Sequence, residues 1–230
     1  MESPSEPQHR AVSPWRGLLL TASILSCWIQ PTSAQISVVS NPLYGEVNRN
    51  VTLDIQDYSG RAVSYTWFRK TITDPNEIAV YTVENREQDP GDIWKKVFPN
   101  GSLLIPDLTL SDSDDYIVVI VNSKCSIVAQ GHLAVYERTS KPNLTANRTN
   151  IIENGTLAFT CVTEQAGMDI LWFFDEKPLI LNEKMKLSVN NQILTILSVK
   201  REDARFYQCE IRNPISSSRS DLIPLTVNCE

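Results

Sequence analysis

The most reactive side chains in this 230-residue sequence are those of its five cysteines. Four of them lie beyond position 34: Cys125, Cys161, Cys209 and Cys229. In an oxidising compartment such thiols form disulfides, within one chain or between two. His132 is the only histidine in the same part of the chain, so neither a zinc ligand set nor a Ser–His pair is available. We therefore predict disulfide chemistry, and no enzyme activity, cofactor or metal site.

The N-terminal segment 1–34 predicts a removable signal peptide. Arg10 and Arg16 precede an apolar run at 18–29, and small residues at 32–34 form a cleavage pattern before Gln35. The alternative, an N-terminal anchor, is disfavoured because the run is short and interrupted by hydroxyl residues. No later stretch is apolar enough to span a membrane, so we expect a secreted, extracellular protein without an anchor. Five Asn-x-Ser/Thr sequons agree and predict N-linked glycans at Asn50, Asn100, Asn143, Asn147 and Asn154.

The second half of the chain carries a set of spacings around two cysteines. Trp172 stands eleven positions after Cys161, and Tyr207 stands two positions before Cys209. This is the immunoglobulin pattern, in which a disulfide joins strands B and F, a tryptophan of strand C packs on the bridge and a tyrosine corner begins strand F. We predict a disulfide between Cys161 and Cys209.

The first half repeats this pattern without cysteines. Trp67 stands fourteen positions after Leu53, and Tyr116 stands two positions before Val118. Leu53 and Val118 therefore occupy the positions of the bridge, and this half must be stabilised by packing instead.

The spacings also predict the type and limits of each domain. The segment between the two bridge positions is longer in the first half, by the length that two added strands between C and D require. A polar stretch ending in Pro142 separates the halves. We predict an all-β chain of two tandem immunoglobulin-like sandwiches. The first, at 35–137, is variable-type without the inter-sheet disulfide; the second, at 142–230, is a shorter constant or intermediate type with it.

Strand alternation predicts which side chains of the first half point away from its core. The neighbours of Val118 on strand F and of Trp67 on strand C are apolar, whereas Gln208, Glu210 and Arg212 in the second half suit a solvated face. An apolar patch on a secreted domain usually marks a contact surface. The alternative is that a loop or the second domain covers it. We predict partner binding by the C, C′ and F strands at Phe68, Ile78, Ile117, Val119 and Val121.

Two cysteines remain after Cys161 and Cys209 are paired. Cys125 falls in the predicted F–G turn and Cys229 follows the last strand of the second domain, too far apart for the roughly 6 Å Cα separation of a disulfide. A leftover cysteine in a secreted protein is a candidate for an intermolecular bridge. We predict a disulfide-linked homodimer through Cys229 or Cys125; the alternative is a free or capped thiol.

Several stretches resemble the carcinoembryonic antigen family, which includes the pregnancy-specific glycoproteins. They are MESPS at 1–5 with LLLTAS at 18–23, PNGSLLI at 99–105, CEIRNP at 209–214 and RSD at 219–221. The resemblance implies that the cysteine-free first domain is a family trait and that the chain is a secreted member of the pregnancy-specific type. It also implies homophilic or heterophilic contacts through Phe68, Ile78, Val119 and Val121.

The same resemblance implies modulation of maternal immune or vascular cells, with integrins, latent transforming growth factor beta or heparan sulfate as partners. The acidic composition makes heparan sulfate the weakest of these. The chain departs from the family at two places. Trp94 stands where the family has an arginine that pairs with Asp112, which leaves Lys95, Lys96 or no partner for that carboxylate. PGD at 90–92 lacks the arginine of an Arg-Gly-Asp motif, so integrin binding through that motif is not implied.

The net charge of the chain and the positions of its acidic residues disfavour several further classes of function. The net charge of −6 disfavours binding to nucleic acid or to an anionic membrane. The acidic residues Asp112, Asp114 and Asp115 are explained by the tyrosine corner and a solvated turn rather than by calcium. The leading hypothesis is a secreted glycoprotein that binds cell-surface or extracellular proteins through its first domain. The alternative is homophilic adhesion, matrix assembly or soluble competition with membrane-bound family members.

Overall fold

The structure, a computed structural model, describes residues 35–91 and 94–229. The predicted signal peptide at 1–34 lies outside these residues. The described chain consists of β-strands, turns and three short 3₁₀ helices, Asp74–Asn76, Leu110–Asp112 and Arg201–Asp203. None of the helices in these ranges is long and apolar enough to cross a membrane.

The first sandwich is built from the strands between Ser37 and Tyr136. Their bounds are β1 (Ser37–Asn41), β2 (Gly45–Glu46), β3 (Val51–Gln56), β4 (Ala62–Arg69), β5 (Glu77–Thr82), β6 (Glu87–Asp89), β7 (Lys96–Val97), β8 (Leu103–Ile105), β9 (Asp114–Asn122), β10 (Ser126–Leu133) and β11 (Val135–Tyr136). One sheet has the order β1-β3-β8-β7 and the other β10-β9-β4-β5-β6, while β2 pairs in parallel with β11. The five-stranded sheet includes strands C′ and C″, so the predicted variable type is confirmed.

The second sandwich is built from the strands between Asn143 and Asn228. Their bounds are β12 (Asn143–Ala146), β13 (Asn150–Ile152), β14 (Leu157–Val162), β15 (Asp169–Phe174), β16 (Lys177–Pro178), β17 (Met185–Leu187), β18 (Ile193–Ile196), β19 (Phe206–Asn213), β20 (Ser216–Arg219), β21 (Ile223–Pro224) and β22 (Thr226–Asn228). One sheet has the order β12-β14-β18-β17 and the other β16-β15-β19-β20, with β21 also on β19 and β13 parallel to β22. Strand C′ is reduced to β16 and no C″ strand follows in the described chain, which confirms the shorter type.

The core of the first sandwich forms without a disulfide. Leu53 and Val118 are both buried at the positions that a bridge would occupy, beside the fully buried Trp67. The Trp67 Nε1 donates a hydrogen bond of 2.9 Å to the carbonyl oxygen of Gly101. Gly101 has φ +88°, and any side chain at this position would collide with the ring of Tyr65. Close packing around the tryptophan therefore takes the place of the covalent link.

The core of the second sandwich contains the predicted disulfide. The Cys161 and Cys209 sulfurs are bonded at 2.03 Å, and the buried Trp172 belongs to the same cluster. The Trp172 Nε1 donates a hydrogen bond of 2.8 Å to the carbonyl oxygen of Asn191. The ring of Tyr207 stacks on that of Phe159, with centroids 4.5 Å apart. The pairing inferred from spacing is confirmed.

Both sandwiches contain a tyrosine corner. The Tyr116 hydroxyl donates to the carbonyl oxygen of Asp112, and the Tyr207 hydroxyl donates to that of Asp203, each at 3.1 Å. Burial raises the pKa of Tyr116 to about 12 and raises the pKa of Tyr207 as well. Both hydroxyls thus remain protonated donors that hold the start of strand F.

Candidate protein-binding face

The outward side of the five-stranded sheet carries two neighbouring rows of side chains across its strands. In one row, β5, β4, β9 and β10 contribute Val80, Thr66, Val119 and Val128. In the next row, the same strands contribute Thr82, Ser64, Val121 and Ser126. We call the surface formed by these eight residues the valine face. Directly opposed side chains lie about 4.5–5.5 Å apart at Cβ, so the four valines and the threonine methyl groups form one apolar patch.

Two of the predicted contact residues, Val119 and Val121, lie on the valine face and are half-buried. Val80 and Val128 also belong to it but were not among the predicted residues. Val128 is the most exposed of the four valines, at 55%. Ala129, the next residue of β10, is buried. Because side chains alternate along a strand, Val128 must point away from the core.

Phe68 and Ile117 are buried, so the prediction that they offer an exposed contact surface is wrong. Their exposed fractions are 7% and 8%. They face each other in register on β4 and β9, with Glu77 and Gln130 as the next residues of the same row. Alternation predicts the direction of a side chain but not its exposure, which depends on the residues that the tertiary structure places around it.

Ile78 does not lie in the rows of the valine face, contrary to the prediction. The register of β4 with β5 jumps from the Trp67–Ala79 pair to the Phe68–Glu77 pair, which leaves Ile78 as the extra residue of a β-bulge. The bulge re-aims its side chain. Ile78 lines a cavity of about 610 Å³ together with Trp94 and other residues at this end of the sandwich.

The first departure from the family pattern concerns Trp94 and the partner of Asp112. Trp94 is 88% exposed and borders the same cavity as Asp112. The Asp112 carboxylate accepts hydrogen bonds from the backbone N–H of Thr109 at 2.9 Å and from its hydroxyl at 2.8 Å. Of the alternatives left open by the sequence, the structure shows the one without a lysine partner, because a capping contact satisfies the Asp112 carboxylate.

The acidic residues at the start of β9 each contact a neighbouring basic side chain. Asp114 lies 2.9 Å from Arg69 and 3.6 Å from Lys70, and Asp115 lies 2.8 Å from His132. Burial by itself would raise the pKa of Asp114, but hydrogen bonds and the two cations outweigh it and lower the pKa. Within the described residues, no group of three His, Cys, Asp or Glu is arranged to hold a metal ion.

The corresponding face of the second sandwich is built differently. Glu210 was expected to lie on a solvated face, but it is only 4% exposed. Its carboxylate lies 2.9 Å from Arg212 and 2.6 Å from Arg219, and the Arg219 guanidinium stacks over the Phe173 ring at 3.7 Å. The prediction failed because strand alternation predicts the direction of a side chain but not which neighbouring side chains cover it. Here two long arginine side chains cover the carboxylate.

The two leftover cysteines are both free and exposed in the described chain. Cys125 lies in the turn between β9 and β10, where its backbone N–H donates to the side-chain oxygen of Asn122 at 2.9 Å. Cys229 follows β22, with the Arg201 guanidinium 2.6 Å from its sulfur. Both positions agree with the placement predicted from the sequence.

All five sequon asparagines are exposed. Asn50 directly precedes β3 and Asn143 begins β12, two strands of the four-stranded sheets. None of the five lies on a strand of the valine face.

Comparison with known proteins identifies relatives over most of the chain. The sequence profile described as "Immunoglobulin domain" matches residues 141–213. Cell adhesion molecule CEACAM15 of Mus musculus is 32% identical over 213 residues, which cover 89% of this chain and 90% of that protein. Cell adhesion molecule CEACAM16 of Mus musculus is 33% identical over 210 residues. These cover 89% of this chain but 49% of CEACAM16, so the chain spans about half the length of that relative.

Two solved structures are similar in fold and sequence. Murine CEACAM1b matches with a TM-score of 0.78 and 29% identity, covering 84% of this chain and all of that one (100%). A chain from the crystal structure of a mouse coronavirus receptor-binding domain complexed with its murine receptor matches with a TM-score of 0.77 and 28% identity, again over 84% of this chain and 100% of that one.

Proposed function

The chain belongs to the carcinoembryonic antigen family of immunoglobulin-domain cell adhesion molecules, and on that premise we propose that it binds a cell-surface or extracellular protein through the valine face. The observation that carries this proposal is the row of Val80, Val119 and Val128 across the sheet. Val128 is more than half exposed in that row. A contiguous apolar patch on a protein surface usually marks a contact site rather than a surface that stays in contact with water.

Two further observations support the proposal. No sequon lies on the strands of this face, so glycans at the five predicted sites would leave it open. A similar chain has been solved as the murine receptor of a coronavirus protein, which shows that a protein of this fold and family can bind an unrelated protein. Burial of the still exposed area of the four valines contributes at most roughly 6 kcal/mol before the cost of association. The face therefore supports modest affinity that avidity or polar contacts would increase.

The experiment is to measure binding of a fluorescent tetramer of the full chain to monocytes and endothelial cells. Val119→Asp should reduce binding at least tenfold without a lower melting temperature, because a carboxylate in the apolar row must be desolvated on contact. The matched control is Val39→Asp on β1, since Val39 is 38% exposed on the opposite sheet of the same sandwich. Binding that survives Val119→Asp would place the contact elsewhere.

The finer role is modulation of immune or vascular cells in the manner of a pregnancy-specific glycoprotein. The basis is the resemblance of the sequence, with integrins, latent transforming growth factor beta or other family members as partners. This role requires export of the chain, with cleavage after residue 34 and glycans at the sequons. Mass spectrometry of the protein collected from the culture medium of mammalian cells tests the cleavage, the glycans and the export together.

A second candidate function is assembly through an intermolecular disulfide, favoured by the exposed free thiols of Cys229 and Cys125. A linked dimer would present two valine faces and raise the avidity of a weak contact. It would also suit homophilic adhesion, matrix assembly or competition with membrane-bound relatives. Non-reducing electrophoresis of the secreted protein tests it: Cys229→Ser, Cys125→Ser or the double variant should abolish the dimer. A dimer that persists in the double variant would exclude both thiols.

A further inference from the structure

The edge of the valine face next to β6 carries two carboxylates. Glu87 faces Thr82, and Asp89 faces Val80, so both acidic residues extend the two rows of the face. Both are exposed. The edge forms a shallow cleft of about 580 Å³ lined by Val80, Thr82, Glu87, Gln88 and Asp89. The apolar patch is thus bordered on this side by negative charge.

Neither of these carboxylates is neutralised by a cation of the described chain. The ion pairs of the first sandwich join Arg69 and Lys70 to Asp114 and Arg138 to Glu46, and His132 contacts Asp115. The edge differs in this respect from the second sandwich, where two arginines neutralise Glu210. A carboxylate beside a patch that becomes buried on contact loses part of its hydration and favours a partner that supplies the opposite charge.

The edge strand is held in place although it is very short. The Gln88 amide donates to the carbonyl oxygens of Pro90 at 3.1 Å and Lys95 at 2.9 Å, and its side-chain oxygen accepts from the Val97 N–H at 2.7 Å. These bonds tie β6 to the neighbouring sheet. Glu87 and Asp89 are therefore presented from an ordered strand, which reduces the entropy cost of using them in an interface.

On the basis of the proposed function, we infer that the partner of the valine face presents a lysine or arginine side chain to the cleft between Glu87 and Asp89. A second copy of this chain fits the edge less well. On the opposite edge, the outward residues Ser126, Val128 and Gln130 of β10 are uncharged. The cation closest in sequence to that edge is Lys124, in the turn between β9 and β10.

The test uses the full chain with Cys125→Ser and Cys229→Ser as background, so that disulfide dimers do not contribute. The probe is the same fluorescent tetramer on monocytes and endothelial cells. Glu87→Lys with Asp89→Lys should lower the association rate about tenfold or more and should reverse the salt dependence of binding. Glu84→Lys, in the turn between β5 and β6, is the matched control and should change the rate little.

The outcomes separate this inference from the proposed function. Loss of binding in Val119→Asp together with loss in the double lysine variant supports both. If Val119→Asp abolishes binding, but the binding of the background chain does not depend on salt and is unchanged in the double lysine variant, the inference alone is overturned. Binding unaffected by Val119→Asp, or absent from every cell tested, overturns the proposed face and the inference with it.

Sedimentation velocity of the same variants tests the alternative that a second copy of this chain binds the valine face. The inference expects the background chain to stay monomeric at about 100 μM, where a contact of weak affinity is populated. Self-association that is lost both in Lys124→Glu and in the double lysine variant would overturn the inference. In that case Lys124 of one copy would be the cation that meets Glu87 and Asp89 of the other.

Discussion

Val119 in the first sandwich and Glu210 in the second occupy the same position of the fold, directly after the buried strand-F residue at the bridge. Their surroundings differ. Val119 faces Thr66 and Val128 and is left apolar and partly exposed. Glu210 is covered by Arg212 and Arg219, which satisfy its charge. The same backbone position can thus hold a contact surface or a closed polar cluster, and the side chains of the neighbouring strands decide which.

The two cores offer a second comparison. Cys161 and Cys209 link the sheets of the second sandwich covalently, whereas Leu53 and Val118 fill the same space in the first. Both solutions bury a tryptophan whose indole N–H reaches a backbone carbonyl. The fold therefore requires a filled space around the tryptophan rather than the disulfide itself, and the bridge adds stability mainly by restricting the unfolded chain.

Removal of the disulfide should give the largest effect. Replacement of Cys161 and Cys209 by alanine should destabilise the second sandwich by roughly 2–5 kcal/mol, since the 48-residue loop is no longer closed in the unfolded state. Hydrogen exchange followed by mass spectrometry reports each sandwich separately. Protection should fall in β14, β15 and β19 and stay unchanged in β3, β4 and β9. An equal loss in both would show that their stabilities are coupled.

Leu53→Ala is the corresponding change in the first sandwich. We expect it to destabilise that sandwich by about 3 kcal/mol, because a buried side chain is removed beside Trp67 and a cavity remains. The same exchange experiment should now show lower protection in β3, β4 and β9 only. A reducing agent should leave this sandwich unaffected while it weakens the second. Sensitivity of the first sandwich to reductant would contradict the comparison.

Glu210→Gln tests whether the polar cluster stabilises its face. Two arginines lose their charged partner, so the variant should be less stable at pH 7 by about 2 kcal/mol. Val119→Gln, at the equivalent position of the first sandwich, should cost within about 0.5 kcal/mol because no partner is lost. Urea denaturation of both variants measures the difference, and equal costs would remove the contrast between the two faces.

The same residue gives the second sandwich a pH dependence. Burial by itself raises the pKa of Glu210, but hydrogen bonds from Arg219 and Arg212 outweigh it and lower the pKa below its ordinary value of 4.5. A lowered carboxyl pKa stabilises the fold above the unfolded-state value, and this contribution is lost as the pH falls through the folded-state value. The stability difference between wild type and Glu210→Gln should therefore shrink as the pH falls below 4.5. Urea denaturation of both proteins over that acidic range measures it.

The tyrosine corners should give the smallest effects and should be alike. Tyr116→Phe and Tyr207→Phe each remove one hydrogen bond to a backbone carbonyl and should cost about 1 kcal/mol. Similar values would show that the corner is equivalent in the two sandwiches despite the missing disulfide. A much larger cost for Tyr116→Phe would mean that the disulfide-free sandwich depends more heavily on its corner. Urea denaturation monitored by tryptophan fluorescence measures both.

Much of the fold could be predicted because its signals are local. The spacing of Cys161, Trp172, Tyr207 and Cys209 identified the second sandwich, and a similar pattern with apolar residues at the bridge positions identified the first. The candidate site was predicted only in part. Val119 and Val121 lie on the valine face, but Phe68 and Ile117 are buried in their row, and Ile78 is displaced by a bulge.

The sequence by itself determined the all-β class, the disulfide partners, the tyrosine corners and the direction in which alternating side chains point. These properties follow from spacing along one chain segment. Only the tertiary structure decided which outward residues are exposed, that Val80 and Val128 complete an apolar row, and that Arg219 covers Glu210. Exposure and charge neutralisation depend on strands that are distant in sequence, and their register becomes defined when the sheet forms.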